Sequence, residues 1–409
     1  MKTKLTALFL AVIMIASVFS LSSCYLLNDG VIESLLSSDG NGNINVEGGD
    51  TNNITINGDA SNDILVASKA LLASVSLVCE FSGRRIQGSG VEKYYSLGSG
   101  VIYKLDKAKG EAYIITNYHV VYDSQSATAN KISDNISVML FGQEYSDYMM
   151  KASFIGGSSQ YDIAVLKITA SEHLMKSSAV AADFADSNAV SVLEKVVAIG
   201  NPGGDGISAT VGYVNVDSEE IDLDNDGTDE FRVIRTDAAV NSGNSGGGLF
   251  NAKGEVVGIV NAKMADNSVD NIGYAIPSNI AKAVADNILY YCDGTSIECP
   301  RRVLMGITVT HTNLRSEYDT ATGKVRRFET VIVDSVNAGS AVTGLIAKGD
   351  AINSITIDGV KYEVTRIFHV VDSMLNARVG SSVTINITRA GESFDVAVPI
   401  VESMLTDWK

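Results

Sequence analysis

From residue 63 onward, short β-branched and apolar runs alternate with Gly, Asn and Asp. Ser99–Leu105, Ala112–Thr116, Ile136–Phe141, Asp162–Ile168, Lys195–Ile199, Ala209–Val216, Phe231–Thr236 and Glu255–Asn261 each predict a strand. Many short strands without intervening helices predict an antiparallel sandwich or barrel. A single helix stands out near residue 280. Ser278 can cap it, and Ile280, Val284, Ile288 and Tyr291 share one face. Pro300 ends this block. A second block, 301–402, has strands at Val303–His311, Thr330–Val336, Ala351–Ile357, Val383–Arg389 and Phe394–Ile400. A helix at Val364–Ala377 interrupts them, with Ile367, Val370, Val371, Met374 and Leu375 as its apolar stripe. The expected architecture is mainly β, with a small α+β unit at the end.

The first residues read differently. Lys2 and Lys4 precede an uncharged run from Leu5 to Leu21, short for crossing ~30 Å of hydrocarbon. A basic start, an apolar middle and a small-residue end describe a secretory signal over 1–23. Leu21-Ser22-Ser23-Cys24 resembles the lipobox of bacterial lipoproteins, in which the cysteine is lipidated and becomes the first mature residue. Residues 25–62 are rich in Asn, Gly, Asp and Ser. With Cys24 they read as a flexible tether of roughly 35 Å r.m.s. reach. The expectation is an exported chain, anchored by lipid and facing outward.

Composition narrows the class. With 45% apolar and 19% charged residues, the 409-residue chain is globular rather than disordered, and long enough for two domains. A net charge of −17 repels phosphate backbones and argues against nucleic acid as a partner. Four cysteines occur. Cys292 and Cys299 bracket a short polar loop and suit a disulfide in an exported chain. Cys79, in the apolar run Val75 to Phe81, reads as a buried free thiol. No His/Cys cluster has zinc spacing.

With only four histidines, few residues can act as a base near neutral pH. His119 ends the strong strand text Ile114-Ile115-Thr116-Asn117-Tyr118-His119. Asp162 opens Asp162-Ile163-Ala164-Val165. Ser245 lies in Ser242-Gly243-Asn244-Ser245-Gly246-Gly247-Gly248. A serine hydroxyl needs a base to take its proton, and the imidazole needs a carboxylate to hold its tautomer. The attacked carbonyl needs N–H groups aimed at its oxygen, and glycines beside the serine let the backbone supply them. Taken singly, each is an ordinary strand-end histidine, a strand-entry aspartate or a glycine-rich turn. Together they form a nucleophilic set in the order His, Asp, Ser.

The surrounding text resembles the trypsin-like domain of the HtrA (Deg) serine proteases. The resemblance rests on Gly98-Ser99-Gly100-Val101-Ile102, Thr116-Asn117-Tyr118-His119-Val120, Tyr161-Asp162-Ile163-Ala164-Val165-Leu166-Lys167 and Ala198-Ile199-Gly200-Asn201-Pro202-Gly203. It continues through Thr236-Asp237-Ala238-Ala239-Val240-Asn241, Gly243-Asn244-Ser245-Gly246-Gly247 and Ile272-Gly273-Tyr274-Ala275-Ile276-Pro277. It implies two packed six-stranded antiparallel barrels over about 63–292. It also implies His119 as base, Asp162 as its orienting acid, Ser245 as nucleophile, and an oxyanion hole from the N–H groups of Gly243 and Ser245. Ser242 and Gly248 stand where the family has proline, which loosens the turn. The base of the primary pocket falls on Ala239, next to Val240, so cleavage is expected after small or medium apolar residues. Unfolded or damaged exported proteins are the implied substrates, and a homotrimer the implied assembly.

After a linker at 293–300, the second block resembles a PDZ domain of the same family. Leu304, Met305, Gly306 and Ile307 match its carboxylate-binding turn. Gly339-Ser340-Ala341-Val342 and Gly344 to Ile352 match a following helix and turn, and Val364–Val379 the helix beside the groove. A C-terminal peptide would add there as a strand. Asp222, Asp224 and Asp226 have calcium-loop spacing, but Val233 stands where the closing Glu belongs. An acidic, solvated turn is the preferred reading and a structural calcium the alternative. Catalysis itself requires no cofactor. Two other functions use parts of the same text: an inactive pseudoprotease that binds peptides through its PDZ domain, and an α/β-hydrolase elbow. The second needs a strand–turn–helix context and a histidine after the serine, whereas a turn and another strand follow Ser245, and His311 and His369 lie in the second block.

Overall fold

The structure is a computed structural model that describes residues 62–83, 93–128, 130–143, 146–222, 230–262, 272–292, 300–320 and 322–407. The signal, Cys24 and the tether therefore lie outside the described residues. Among those described, no helix is long and apolar enough to cross a membrane. A helix at Asn62–Leu72 precedes the first strand.

Six strands close the first barrel: β1 (Ser74–Ser82), β2 (Lys93–Asp106), β3 (Glu111–Thr116), β4 (Asn135–Leu140), β5 (Met150–Ser158) and β6 (Ile163–Ile168). Their order is β1-β2-β3-β6-β5-β4, antiparallel throughout. Val75, Leu77, Cys79 and Phe81 alternate along β1 and point into the core with Ile114, Val138 and Leu166. Cys79 is a free, buried thiol, as expected, and burial pushes its pKa up to about 12.

The second barrel repeats the plan with β7 (Lys195–Gly200), β8 (Ser208–Asp222), β9 (Glu230–Thr236), β10 (Gly248–Phe250), β11 (Val256–Val260) and β12 (Gly273–Pro277). The order is β10-β11-β12-β9-β8-β7. The double six-stranded barrel is the expected one. The helix Ser278–Tyr291 follows β12. Its Ile280, Val284 and Ile288 join Val101, Ile115 and Val165 of the first barrel and Ile199, Phe250 and Ile259 of the second in one core. Its cap differs from expectation. Pro277 is the N-cap, and the Ser278 hydroxyl donates to Ala185 O instead (2.6 Å).

The C-terminal unit pairs β13 (Arg301–Val303) with β20 (Leu405–Asp407), which carries it beyond residue 402. Between them lie β14 (Ile307–Asp319), β15 (Lys324–Val336), β16 (Ala351–Ile357), β17 (Val360–Glu363), β18 (Ser382–Arg389) and β19 (Glu392–Pro399), in the order β14-β15-β16-β18-β19 with β17 on β16. The helix is shorter than expected, Phe368–Met374. Its start is fixed by Glu329, whose Oε2 accepts Ile367 N (2.8 Å). Val370, Met374 and Leu375 are buried, but Val371 is exposed and His369 takes an inward position. Residues 339–346 form hydrogen-bonded turns, not a helix: Ser340 N donates to Asn337 O, Thr343 N to Ser340 O and Ile346 N to Val342 O.

Candidate active site

The three chemistry-bearing residues arrive from three different places. His119 lies on the short helix Tyr118–Val121, directly after β3. Asp162 sits just before β6, in the left-handed region at φ 47°. Its backbone carbonyl accepts Asn117 Nδ2 (2.9 Å) and Tyr118 N (3.2 Å), which ties it to the histidine's own turn. Its carboxylate then meets His119 twice. Oδ1 accepts the backbone N–H (2.9 Å), and Oδ2 lies 2.7 Å from Nδ1. A proton on Nδ1 leaves Nε2 free to accept one, as a general base must.

Ser245 sits on the turn before β10. Gly243 takes φ 98°, and a Cβ there would collide with Asn201 O, so the turn requires glycine. The two carbonyls flanking this glycine are engaged elsewhere. Ser242 O accepts Gly203 N (3.0 Å), and Gly243 O accepts Ser99 Oγ (2.6 Å). The N–H groups of Gly243 and Ser245 donate to no group among the described residues. Two such donors, two positions apart, can receive a developing oxyanion. Ser242 and Gly248 have not released the turn: Asn244 N donates to Asn241 O, Gly247 N to Asn244 O and Val260 N to Gly247 O (2.8–2.9 Å).

The Ser245 hydroxyl accepts Ala262 N at 3.2 Å, and among the described residues no hydrogen bond joins it to His119. As an acceptor there, the hydroxyl keeps its own proton to donate. Two residues that the sequence did not mark complete the site. Ser99 anchors the serine turn, and Asn261 Nδ2 donates to Asp162 Oδ2 (2.6 Å). In the sequence Ser99 is one small residue among the glycines of Gly98–Ile102, and Asn261 is only a strand end.

Ala239 is exposed, and its carbonyl accepts Thr210 Oγ1 (3.0 Å). Val240 is half-buried against the apolar interior of the second barrel, which includes Val196, Val214 and Leu249. The neighbouring acid, Asp237, accepts Tyr213 N through Oδ1 (2.6 Å). In the C-terminal unit, Gly306 takes φ 72°, Met305 is buried and Leu304 is exposed. Leu304 N donates to Met404 O (2.8 Å), so it is not open to a carboxylate. The N–H groups of Met305 and Gly306 donate to nothing among the described residues, and Ile307 opens β14.

Cys292 is disulfide-bonded, and Cys299 lies outside the described residues. Asp222 pairs with Glu230 through the backbone, while Asp224 and Asp226 also lie outside. Among the described residues, no group of three or more His, Cys, Asp or Glu could hold a metal ion.

Comparison with known proteins identifies relatives of the chain. The trypsin-like peptidase domain family matches residues 98–259. The serine protease Do-like HtrA of Lactococcus lactis subsp. cremoris (strain MG1363) is 32% identical over 320 residues, covering 75% of this chain and 71% of that protein. The periplasmic serine endoprotease DegP of Salmonella typhimurium (strain LT2) is 33% identical over 329 residues, covering 80% of this chain and 61% of its own length. The solved HtrA-type protease AlgW with a decapeptide shares the fold, with a TM-score of 0.52, 24% identity, and 83% of this chain and 98% of that one covered.

Proposed function

The chain belongs to the HtrA family of serine endopeptidases, and from that premise we propose that His119, Asp162 and Ser245 carry its reaction. The observation that supports this most is the 2.7 Å contact of His119 Nδ1 with Asp162 Oδ2 beside a serine turn with two free N–H donors. In this reading His119 Nε2 takes the Ser245 proton as Oγ attacks a peptide carbonyl. The N–H groups of Gly243 and Ser245 hold the oxyanion. The imidazolium, stabilised by Asp162, protonates the leaving amine, and water then hydrolyses the acyl-enzyme by the same route.

The same proposal covers specificity and regulation. Ala239 and Val240 offer an acid-free, apolar pocket suited to small or medium apolar side chains. The free N–H groups of Met305 and Gly306, beside the open edge of β14, suit a peptide C-terminus in a PDZ-like groove. The basic, apolar start and Leu21-Ser22-Ser23-Cys24 support export and lipid anchoring. Unfolded exported proteins as substrates, a Cys292–Cys299 bridge and a homotrimer complete the reading.

The test is cleavage of a denatured protein by the full chain, alongside labelling with a serine-directed fluorophosphonate. Both should occur and both should vanish in Ser245→Ala. Cleavage that persists in that variant would place the reaction elsewhere.

A further inference from the structure

A cavity of about 620 Å³ lies where the second barrel, the β14–β15 hairpin and the helix Phe368–Met374 meet. That is the size of a small-molecule site, which spans ~300–1,000 Å³. None of His119, Asp162 and Ser245 lines it. At its deep end stand Arg232 and His369, both more than nine-tenths buried. At its mouth stand Val325 and Val360, both exposed. Phe328, Tyr362 and Phe368 give it aromatic walls.

The acids of this cavity are each engaged. Asp186 Oδ1 accepts Asn188 N (3.0 Å) and Asn279 Nδ2 (2.7 Å). Asp217 pairs with Arg327, Glu363 with Lys361 (2.6 Å) and Asp372 with Arg232 (2.6 Å). Two further cations are taken as well, Arg366 by Glu329 (2.7 Å) and Lys282 by Asp286 (2.9 Å). Arg326 is left over. Glu317 stands opposite it on β14 but pairs with Arg315, and among the described residues no ion pair or hydrogen bond holds the Arg326 guanidinium. A buried donor is left over too. His369 Nδ1 accepts Thr365 N (3.2 Å), so the proton of the neutral ring sits on Nε2, which donates to nothing among the described residues. Arg232 Nε, at the same end, also lacks an acceptor there.

Unmet donors and an uncompensated positive charge favour an anion, in a chain whose net charge of −17 otherwise repels one. A guanidinium fork matches the two oxygens of a carboxylate, and an imidazole N–H can add a further bond. The aromatic walls favour an apolar body beside that charge, since a bare inorganic anion would leave them against water. We propose that this cavity binds a small amphipathic carboxylate, its charge held by Arg326 and His369 and its apolar body by Phe328, Tyr362 and Phe368. Such a ligand touches the second barrel and the C-terminal unit at once.

The test is calorimetric titration of the full chain with 3-phenylpropionate, its neutral amide and inorganic phosphate. The carboxylate should bind at one site with a Kd below about 1 mM. The amide and phosphate should each bind at least about tenfold more weakly. Arg326→Gln and His369→Leu should each weaken the carboxylate about tenfold, and Arg326→Lys should recover part of the loss. Arg315→Gln removes an equal charge from the same hairpin outside the cavity and should leave Kd within about twofold. Absence of binding, an amide as tight as the acid, a tighter phosphate, or an equal loss in Arg315→Gln overturns the proposal. If His369→Leu does not fold, Arg326→Gln and the three probes decide: wild-type affinity in a folded Arg326→Gln overturns the site.

Discussion

Arg232 of β9 and Asp372 of the helix Phe368–Met374 form a 2.6 Å ion pair between the second barrel and the C-terminal unit. Their side chains are only 5% and 13% exposed. The Arg232 guanidinium also lies 4.4 Å from the centre of the Phe368 ring, and Arg366 lies 4.9 Å from it. Burial pushes the Asp372 carboxyl up, with Arg232 opposing. Removing one member strands the other's charge, which typically costs about 3–5 kcal/mol. Asp372→Ala should therefore lower the melting temperature by several degrees, whereas Arg232→Met with Asp372→Leu should restore most of it. Equal losses in the single and double variants, read by calorimetry, would mean that the pair itself is not what joins the two units.

The same junction should be acid-labile. His369 is buried, its Nδ1 accepts Thr365 N (3.2 Å), and Thr365 Oγ1 lies 3.3 Å from it. Burial, then Arg232 and Arg366, lower its pKa from 6.5 to about 4, against weaker opposing pulls from Asp186 and Glu329. As pH falls, the unfolded chain takes this proton before the folded one does. The histidine's contribution is complete above pH 6.5 and drains away as pH drops toward about 4. At ~1.4 kcal/mol per tenfold change in proton affinity, the loss is roughly 3 kcal/mol. His369→Gln should flatten the fall in urea stability between those pH values. A variant as acid-sensitive as wild type would assign the lability to another group.

Where the chain revealed itself in sequence, the cause was local. Gly243-Asn244-Ser245 announces its turn because Gly243 must take φ 98°. His119 and Asp162 each border a strand whose apolar text is plain. The features that escaped depend on distant partners. Ser99 acts on a carbonyl 144 residues away, and Asn261 on a carboxylate 99 residues away. Strand β1 alternates Val75, Leu77, Cys79 and Phe81 with polar positions, but Val78 interrupts the alternation, so Leu77-Val78-Cys79 reads as an apolar run. The C-terminal helix begins later than its apolar stripe predicts because Glu329, 38 positions before Ile367, sets its start, and not a nearby cap.

Gly243 offers a sharp separation of chemistry from binding. Alanine there would collide with Asn201 O and could not comfortably hold φ 98°, so the N–H of residue 243 would swing from its direction. Losing one oxyanion donor typically costs ~10²–10³ in kcat. Gly243→Ala should show that loss with KM little changed, and its His119–Asp162 contact should survive. Steady-state kinetics beside a crystal structure would check both; full activity would exclude this N–H from the reaction.

Ser99 offers the complementary case, in which no reacting group is touched. Its hydroxyl donates to Gly243 O (2.6 Å) and accepts Asn201 N (2.8 Å), while its own N–H donates to Ser245 O (2.8 Å). Ser99→Ala keeps the backbone bond but leaves Gly243 O and Asn201 N without that partner. Each buried orphan typically costs ~1–3 kcal/mol. The cheapest relief is a rotation of the Gly243–Asn244 peptide, which would tilt the serine turn away from the position that receives an oxyanion. Ser99→Ala should thus lose kcat and fluorophosphonate reactivity together, and its melting temperature should fall. Ser99→Thr, which keeps the hydroxyl on β2, should retain more of each. Were Ser99→Ala to melt lower yet turn over at the wild-type rate, Ser99 would hold the barrels without setting the turn.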